Sequence, residues 1–180
     1  ILAPSGVIVT GFDMKLDASD MALLGILQRD SKKTAKDLGR DLDMPVTTVY
    51  AKIKRMEELG YITGYTAILG APKLGFNATA FVLATFSYRS SGDTETALSQ
   101  REVAKEVATF AEVQEVHVIS GDWDLLIKVK TTDIDAVGQY VVDKLRTVRG
   151  IEKTVTCLVF DTAKETAEID ITGHAMTRQE

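Results

Sequence analysis

Two short apolar repeats, separated by a turn signal, limit what residues 34–69 of this chain can fold into. Apolar side chains recur there every three to four residues, which is the spacing of one buried stripe on a helix. Asp43-Met44-Pro45 interrupts the repeat, and proline is well tolerated in the first turn of a helix. The sequence therefore predicts two short helices joined by a tight turn. The repeating residues are Ala35, Leu38, Leu42, Val46, Val49, Ile53, Met56 and Leu59.

The second predicted helix carries basic and hydroxyl side chains away from its apolar stripe. Residues 44–56 contain three basic side chains and no acidic one. Hydroxyls near a helix start can reach base edges or phosphates, and basic groups behind them can neutralise phosphates. A solvated surface helix is the competing interpretation, because basic helix faces are common. The candidate DNA-binding residues are Pro45, Thr47, Thr48, Tyr50, Lys52, Lys54 and Arg55. We expect Lys52 and Arg55 to be exposed.

The segments on either side favour the DNA-binding interpretation. A preceding helix with its own apolar stripe is predicted over residues 17–30. Gly60 is a typical stop signal at the end of the second short helix. Residues 61–68 are β-prone around a central glycine, which suits a hairpin or wing. This order is that of a winged helix-turn-helix domain over residues 15–69. The net charge of −5 of the chain arises mostly outside these residues.

A second pattern begins after a glycine- and proline-containing linker at residues 70–76. Over residues 77–162, β-prone and helical segments alternate in the order β-α-β-β-α-β, which is a ferredoxin-like unit. The predicted fold class is therefore α+β, with two domains. The predicted strands cover residues 77–88, 113–120, 124–131 and 154–161.

The strands of this second domain are apolar on both faces. Residues 80–84 and 125–127 show no polar alternation, although helices on one side of a sheet leave the other side exposed. Exposed apolar sheet faces of this size rarely stay solvated. Another subunit is the expected cover, which gives a symmetric dimer. Cover by the N-terminal segment or by the first domain is the alternative.

Three motifs occur in order along the chain and resemble those of the Lrp/AsnC regulators, the "feast/famine" proteins of bacteria and archaea. Leu16-Asp17-Ala18-Ser19-Asp20 is similar to the family's "LDxxD", and residues 59–65 are similar to its "LexxGvIxgy". Gly121-Asp122-Trp123-Asp124-Leu125 is similar to its "GxxDl". The resemblance spans about residues 15–162. Pro45 is a departure, because family members often carry serine there, and this removes any contact that the serine would supply.

The resemblance implies a sequence-specific transcriptional regulator that works as dimers, or as octamers built from them. In the family, the ferredoxin-like unit is the RAM domain, which binds effectors and drives oligomerisation. Paired recognition helices would enter major grooves of double-stranded DNA about one helical turn apart. A small amino-acid effector would shift the assembly or its affinity for DNA. An architectural DNA-binding protein without an effector is the alternative function.

The turn Ser120–Asp124 is the candidate effector site. Its glycine allows close approach to the backbone, and its carboxylates can pair with an α-ammonium group. The resemblance implies the same role, because in the family this turn lines an effector pocket between dimers. A tight hairpin turn with Trp123 packed on a neighbour is the alternative. The candidate residues are Ser120, Gly121, Asp122, Trp123 and Asp124, with Thr131 and Thr132 at the far end of the following strand.

Catalysis finds little support in the residue types. The two histidines, His117 and His174, have no metal-site spacing, and Cys157 has no evident base beside it. We therefore expect no enzyme activity, no metal and no cofactor other than an amino-acid effector. A tetrapyrrole decarboxylase of similar fold is the weaker alternative. Cys157 lies in an apolar strand and is expected to be a buried small hydrophobe in a reduced, cytoplasmic protein.

The two ends of the chain are less informative. Residues 1–14 are apolar but too short and uncharged for a signal peptide. They fit a vector-derived remnant, an upstream-start artefact or an extra strand equally well. Residues 163–180 are predicted to be a polar tail. No apolar run approaches the roughly 20 residues that span a bilayer, so no membrane association is expected.

Overall fold

The computed structural model describes residues 16–87 and 99–171, and the chain divides into two compact units. Of the described residues, one unit holds residues 16–67 together with 166–171, and the other holds residues 68–87 and 99–165. The chain therefore passes between the units twice. The hypothesis of an extra strand within residues 1–14 lies outside the described residues. In the part of the chain that is described, no helix has the length and apolarity needed to cross a membrane.

The first unit is built from three helices, α1 (Ala18–Leu27), α2 (Ala35–Asp41) and α3 (Val46–Glu58). Asp17 caps α1 by accepting a hydrogen bond from a backbone N–H in the first turn, and Thr34 caps α2 in the same way. The predicted apolar stripes meet in one core, which also receives side chains from α1. Its buried members are Leu23, Leu27, Ala35, Leu38, Val49 and Met56.

The turn between α2 and α3 contains a close backbone contact that the sequence pattern does not indicate. The backbone N–H of Met44 donates to the carbonyl of Gly39 at 2.7 Å. A Cβ placed on Gly39 would lie 2.6 Å from the carbonyl oxygen of Met44, so only glycine fits without a shift. Asp43 adopts a φ of 50°, in the left-handed region that few non-glycine residues occupy. This close approach sets the angle at which α3 leaves the turn.

The hairpin predicted over residues 61–68 does not form, because the described residues there make no strand pairing. Ile62 packs against the helical core instead. The hydroxyl of Tyr65 donates to a Glu57 carboxylate oxygen at 2.8 Å. Burial, together with this hydrogen bond, raises the pKa of Tyr65 to about 12. A strand needs a hydrogen-bonded neighbour, and this segment is held against α3 by side chains.

The second unit confirms the predicted β-α-β-β-α-β order. Its four strands form one antiparallel sheet in the order β2-β3-β1-β4, in which Val82 of the first strand lies between Ile127 and Thr156. The linker contains a short 3₁₀ helix, Ala71–Leu74. The elements are β1 (Ala78–Phe86), α4 (Gln100–Val107), β2 (Val113–Val118), β3 (Leu125–Thr131), α5 (Ile134–Gln139) and β4 (Ile151–Leu158).

One face of this sheet packs on the helices. Asp133 caps α5 by accepting a hydrogen bond from the Ala136 N–H, and the helix continues as a π-helical turn, Tyr140–Lys144. The ring of Tyr140 is buried and meets Phe110 edge to face, with ring centroids 5.9 Å apart. Alternate residues of β1 and β3 complete this core. The strand residues buried here are Ala78, Ala80, Val82, Ala84, Phe86, Leu125, Ile127 and Val129.

The other face of the sheet, which we call the open sheet face, is centred on Phe81, Leu83, Leu126 and Val155. These side chains are half-buried or exposed within the single chain, which confirms that the strands are apolar on both sides. After β4 the chain continues past the edge of this face, where the Glu165 carboxylate pairs with the Lys128 amine. The predicted polar tail thus begins on the sheet.

Cys157 also lies on the open sheet face, and the prediction that it is buried is wrong. It pairs with Phe81 across the strands and is exposed. The reason is that β4 is an edge strand whose outward residues have no helix above them. His117 lies on the same face, and its ring lies 3.2 Å from a Glu115 carboxylate oxygen.

Candidate DNA-binding and effector sites

The outer face of α3, which we define as Pro45, Thr47, Thr48, Tyr50 and Lys54, is open to solvent. Tyr50 is 65% exposed, and the side chain of Lys54 is 77% exposed. Pro45 and Thr47 are exposed, and Thr48 is half-buried. Spacings of three and four residues place Thr47, Tyr50 and Lys54 along one side of the helix. Three of these five predicted DNA-binding residues therefore share one side of the helix, and Thr48 lies towards its flank, one turn before Lys52.

The two remaining candidates, Lys52 and Arg55, turn away from this surface. Their side chains are only 17% and 34% exposed, so the expectation that both are exposed is wrong. Both reach the start of α1, where their partners are Asp17 and Asp20. Lys52 and Arg55 flank the apolar stripe of α3, and side chains there are drawn to the nearest buried carboxylate.

This ion-pair network is centred on Asp20, which is fully buried. One Asp20 carboxylate oxygen accepts from the Lys52 amine at 3.0 Å, and the other accepts from the Arg55 guanidinium. Lys52 also donates to the Asp17 carboxylate at 2.6 Å. Hydrogen bonds from Lys52, the Ser19 hydroxyl and the Asp20 N–H hold the pKa of Asp17 well below its ordinary value. Burial lowers the pKa of Lys52, but the two carboxylates more than offset this and raise it.

Several other cations of this unit are also paired. Lys33 pairs with Asp41, and this hydrogen bond lowers the pKa of that carboxyl. Arg40 lies 3.0 Å from an oxygen of Asp37. Lys32 and Lys36 show no ion pair within the described residues, and Lys54 has only a long contact of 3.8 Å to Glu58. The cations available to phosphates are therefore fewer than the sequence count implies.

The candidate effector turn places its residues in two different environments. Ser120, Gly121 and Asp122 are exposed, and Gly121 has a φ of 126°, which favours glycine. The Asp124 carboxylate is instead occupied within the chain: it accepts from the Phe86 backbone N–H at 2.8 Å and from the Gln100 amide at 3.1 Å. Asp124 thereby joins the end of β1 to the start of α4.

Trp123 lies within the turn and is half-buried. It lines a shallow cleft of about 560 Å³ with Arg146 and the first residues of β4. Thr131 and Thr132 lie at the opposite end of β3, about 20 Å away for a strand of this length. The Thr131 hydroxyl donates to the Asp133 carbonyl, and that of Thr132 to the Asp133 carboxylate. A single chain therefore does not bring these threonines to the turn.

The fold and the exposed helix agree with comparisons to known proteins. A family model of winged helix-turn-helix DNA-binding domains matches residues 16–63, and one of the Lrp/AsnC ligand binding domain matches residues 79–169. An uncharacterized HTH-type transcriptional regulator of Pyrococcus abyssi is 41% identical over 83% of this chain and 96% of its own length. The proline dehydrogenase transcriptional activator of Rhizobium radiobacter is 31% identical over 84% of this chain and 93% of its own length.

Solved structures share this fold over most of the chain. An AsnC family transcriptional regulator from Agrobacterium tumefaciens matches with a TM-score of 0.78 at 26% identity, over 88% of this chain and 99% of that one. A Neisseria meningitidis transcriptional regulator in complex with L-Met matches with a TM-score of 0.79 at 22% identity, with the same coverage. The molecule is a DNA-binding transcriptional regulator with a ligand-binding domain. It belongs to the Lrp/AsnC family.

Proposed function

We propose that this regulator contacts double-stranded DNA through the outer face of α3. The observation that carries the proposal is the exposure of Tyr50 and Lys54 beside Thr47, on the helix that follows the tight turn. Hydroxyl and apolar groups can meet base edges and thymine methyls in the major groove. Lys54 supplies a charge for a phosphate, and Lys52 and Arg55 do not contact DNA directly.

Gel-shift titration of the full chain on its own promoter tests this assignment. Tyr50→Ala and Lys54→Ala should each weaken binding, and Lys54→Ala should reduce the log–log salt slope by about one unit. Lys105→Ala, at an exposed lysine on α4 of the other unit, is the matched control and should bind as wild type. Wild-type affinity and slope in both α3 variants would remove the outer face of α3 from the DNA interface.

Dimerisation through the open sheet face is the second part of the proposal. Leu83 and Leu126 lie side by side at its centre, and Val155 follows on β4 with 43% of its surface exposed. A second copy of the same face would bury all three, and a two-fold axis makes such a patch self-complementary. The cations available on one α3 are few, so paired recognition helices would also raise the affinity for DNA.

An amino-acid effector at the turn Ser120–Asp124 is the third part. The ligand-binding domain match and the L-Met complex of the Neisseria meningitidis regulator support a small amino acid. Because Asp124 is engaged within the chain, the groups free to meet a ligand are the Ser120 hydroxyl, the Asp122 carboxylate and the backbone at Gly121. A carboxylate can hold an α-ammonium group, and backbone N–H groups can hold the ligand's carboxylate.

Calorimetric screening of the twenty amino acids against the wild-type protein tests the effector. Heat of binding from one of them, together with a changed gel shift on adding it, is the expected result. The linkage is reciprocal, so DNA should alter the affinity for that amino acid by the same factor. If no amino acid gives heat, an architectural DNA-binding protein becomes the better description.

A further inference from the structure

Asp20 stands apart from the other charged residues of this chain. Among residues 16–87 and 99–171 it is the only charged residue that is fully buried. Its carboxylate accepts three hydrogen bonds, from the Lys52 amine, the Arg55 guanidinium and the Asp17 backbone N–H. A buried carboxylate survives only with such partners, and losing one leaves an uncompensated charge. The network therefore fastens the start of α1 to the middle of α3.

The place at which this ion-pair network meets α3 determines which movement of the helix the network restrains. Successive residues of a helix are turned by about 100°. Lys52 and Arg55 consequently lie on the flank of α3, between buried Met56 on one side and exposed Tyr50 and Lys54 on the other. Apolar contacts such as those of Met56 have no direction of their own. Two cations that converge on one carboxylate do have direction, and they oppose rotation of α3 about its axis.

We propose that Asp20 is a positioning residue for DNA recognition. By holding Lys52 and Arg55, it sets the rotation at which α3 presents Thr47, Tyr50 and Lys54 to the groove. The inference rests on the proposed role of the outer face of α3. Under this proposal, Lys52 and Arg55 serve contacts within the domain. Their residue type and their place on α3 would by themselves favour phosphate contacts for both. Base contacts depend on orientation, so a small rotation of α3 is enough to lose them.

The direction in which one substitution changes the affinity for DNA distinguishes the positioning role from a purely electrostatic effect. Asp20→Asn removes a negative charge from a DNA-binding domain, which by Coulomb attraction alone strengthens binding to DNA. A positioning role predicts the opposite, a loss of roughly tenfold, comparable to one misaligned base contact. The salt slope should not fall, because no phosphate contact is removed. Asp30→Asn, an exposed carboxylate of the same unit, is the control and should leave binding equal or slightly tighter.

Two substitutions of Lys52 give a second measurement in case Asp20→Asn fails to fold. Lys52→Gln leaves Arg55 on the buried carboxylate and should weaken DNA binding with an unchanged salt slope. Lys52→Arg keeps the charge and the reach, so it should restore near-wild-type binding. If Lys52 instead contacts a phosphate, Lys52→Gln lowers the slope by about one unit. Circular dichroism and thermal unfolding of each full-length variant confirm that affinity is measured on folded protein.

The outcomes distinguish the two proposals. Weaker binding by Asp20→Asn or Lys52→Gln at constant slope supports the positioning role. Equal or tighter binding by folded Asp20→Asn, or a lower slope for Lys52→Gln, overturns it. If Lys54→Ala and Tyr50→Ala bind as wild type while Asp20→Asn is weaker, the outer face of α3 is misassigned and Asp20 positions another DNA contact.

Discussion

A Cβ atom on Gly39 would lie only 2.6 Å from the carbonyl oxygen of Met44, so the backbone of Met44 occupies the space that a side chain at position 39 would need. The same pair shares a backbone hydrogen bond of 2.7 Å, so the two residues cannot move apart without breaking the turn. This contact joins α2 to α3. It makes Gly39 a structural requirement of the helix-turn-helix that no motif of the sequence identifies.

Gly39→Ala should destabilise the protein by about 1–3 kcal/mol, because a methyl group meets backbone that has little room to shift. Gly25→Ala is the matched control, since Gly25 is also helical but a Cβ there has its nearest neighbour at 4.0 Å. The control should gain up to about 1 kcal/mol from helix propensity. Urea unfolding of both variants measures the difference, and equal stability would contradict the close approach at Gly39.

Asp17 should make the first unit sensitive to acid. The hydrogen bond from Lys52 holds its folded pKa below the ordinary value of 3.8. Because the folded pKa is the lower one, the charged form adds stability above the unfolded pKa, and this contribution is lost as the pH falls through the folded pKa. Asp17→Asn should therefore be less stable at neutral pH and lose less stability on acidification.

This expectation is checked by thermal unfolding of wild type and Asp17→Asn between about pH 5 and pH 2, with circular dichroism as the probe. The two curves should approach each other towards the acid end, because the unfolded chain binds a proton at Asp17 there while the folded protein still resists doing so. Parallel curves across the whole range would show that Asp17 contributes nothing through its charge.

Leu83→Lys should dissociate the proposed dimer, because it places an unpaired ammonium group at the centre of the open sheet face. Val142→Lys introduces the same charge on the helical side, where Val142 is 57% exposed, and is the matched control. Light scattering at micromolar concentration gives the mass of each. A wild-type protein that is monomeric, or a Leu83→Lys variant that stays dimeric, would exclude this face as the interface.

Asp124 and Asp122 should respond differently to the same substitution, although they are two residues apart in one turn. Asp124→Ala removes the acceptor of two hydrogen bonds and should cost about 1–3 kcal/mol of stability, with or without ligand. Asp122→Ala should leave stability unchanged and weaken amino-acid binding roughly tenfold or more. Calorimetry and thermal unfolding of both variants decide this. Loss of ligand affinity by Asp124→Ala at wild-type stability would return Asp124 to the ligand site.

Local patterns account for most of the fold that the sequence predicts. Helix periodicity and the order of apolar strands act within a few residues, so they can be recognised without knowing the tertiary contacts. The doubly apolar strands likewise indicate a sheet face in need of cover. The hairpin expected over residues 61–68 does not form, because a β-prone segment forms a strand only when another strand is within hydrogen-bonding reach.

By itself, the sequence determined a helix-turn-helix followed by a ferredoxin-like unit, and it predicted a DNA-binding face on α3. Only the tertiary structure decided which side chains of that helix are available. Lys52 and Lys54 are only two residues apart in the chain. Lys52 nonetheless donates to the carboxylate of Asp20, 32 residues away, whereas Lys54 is exposed. Asp124 is likewise occupied by Gln100, 24 residues away. Such pairings follow from the packing of separate elements, because the energy of a charge depends on its neighbours in space.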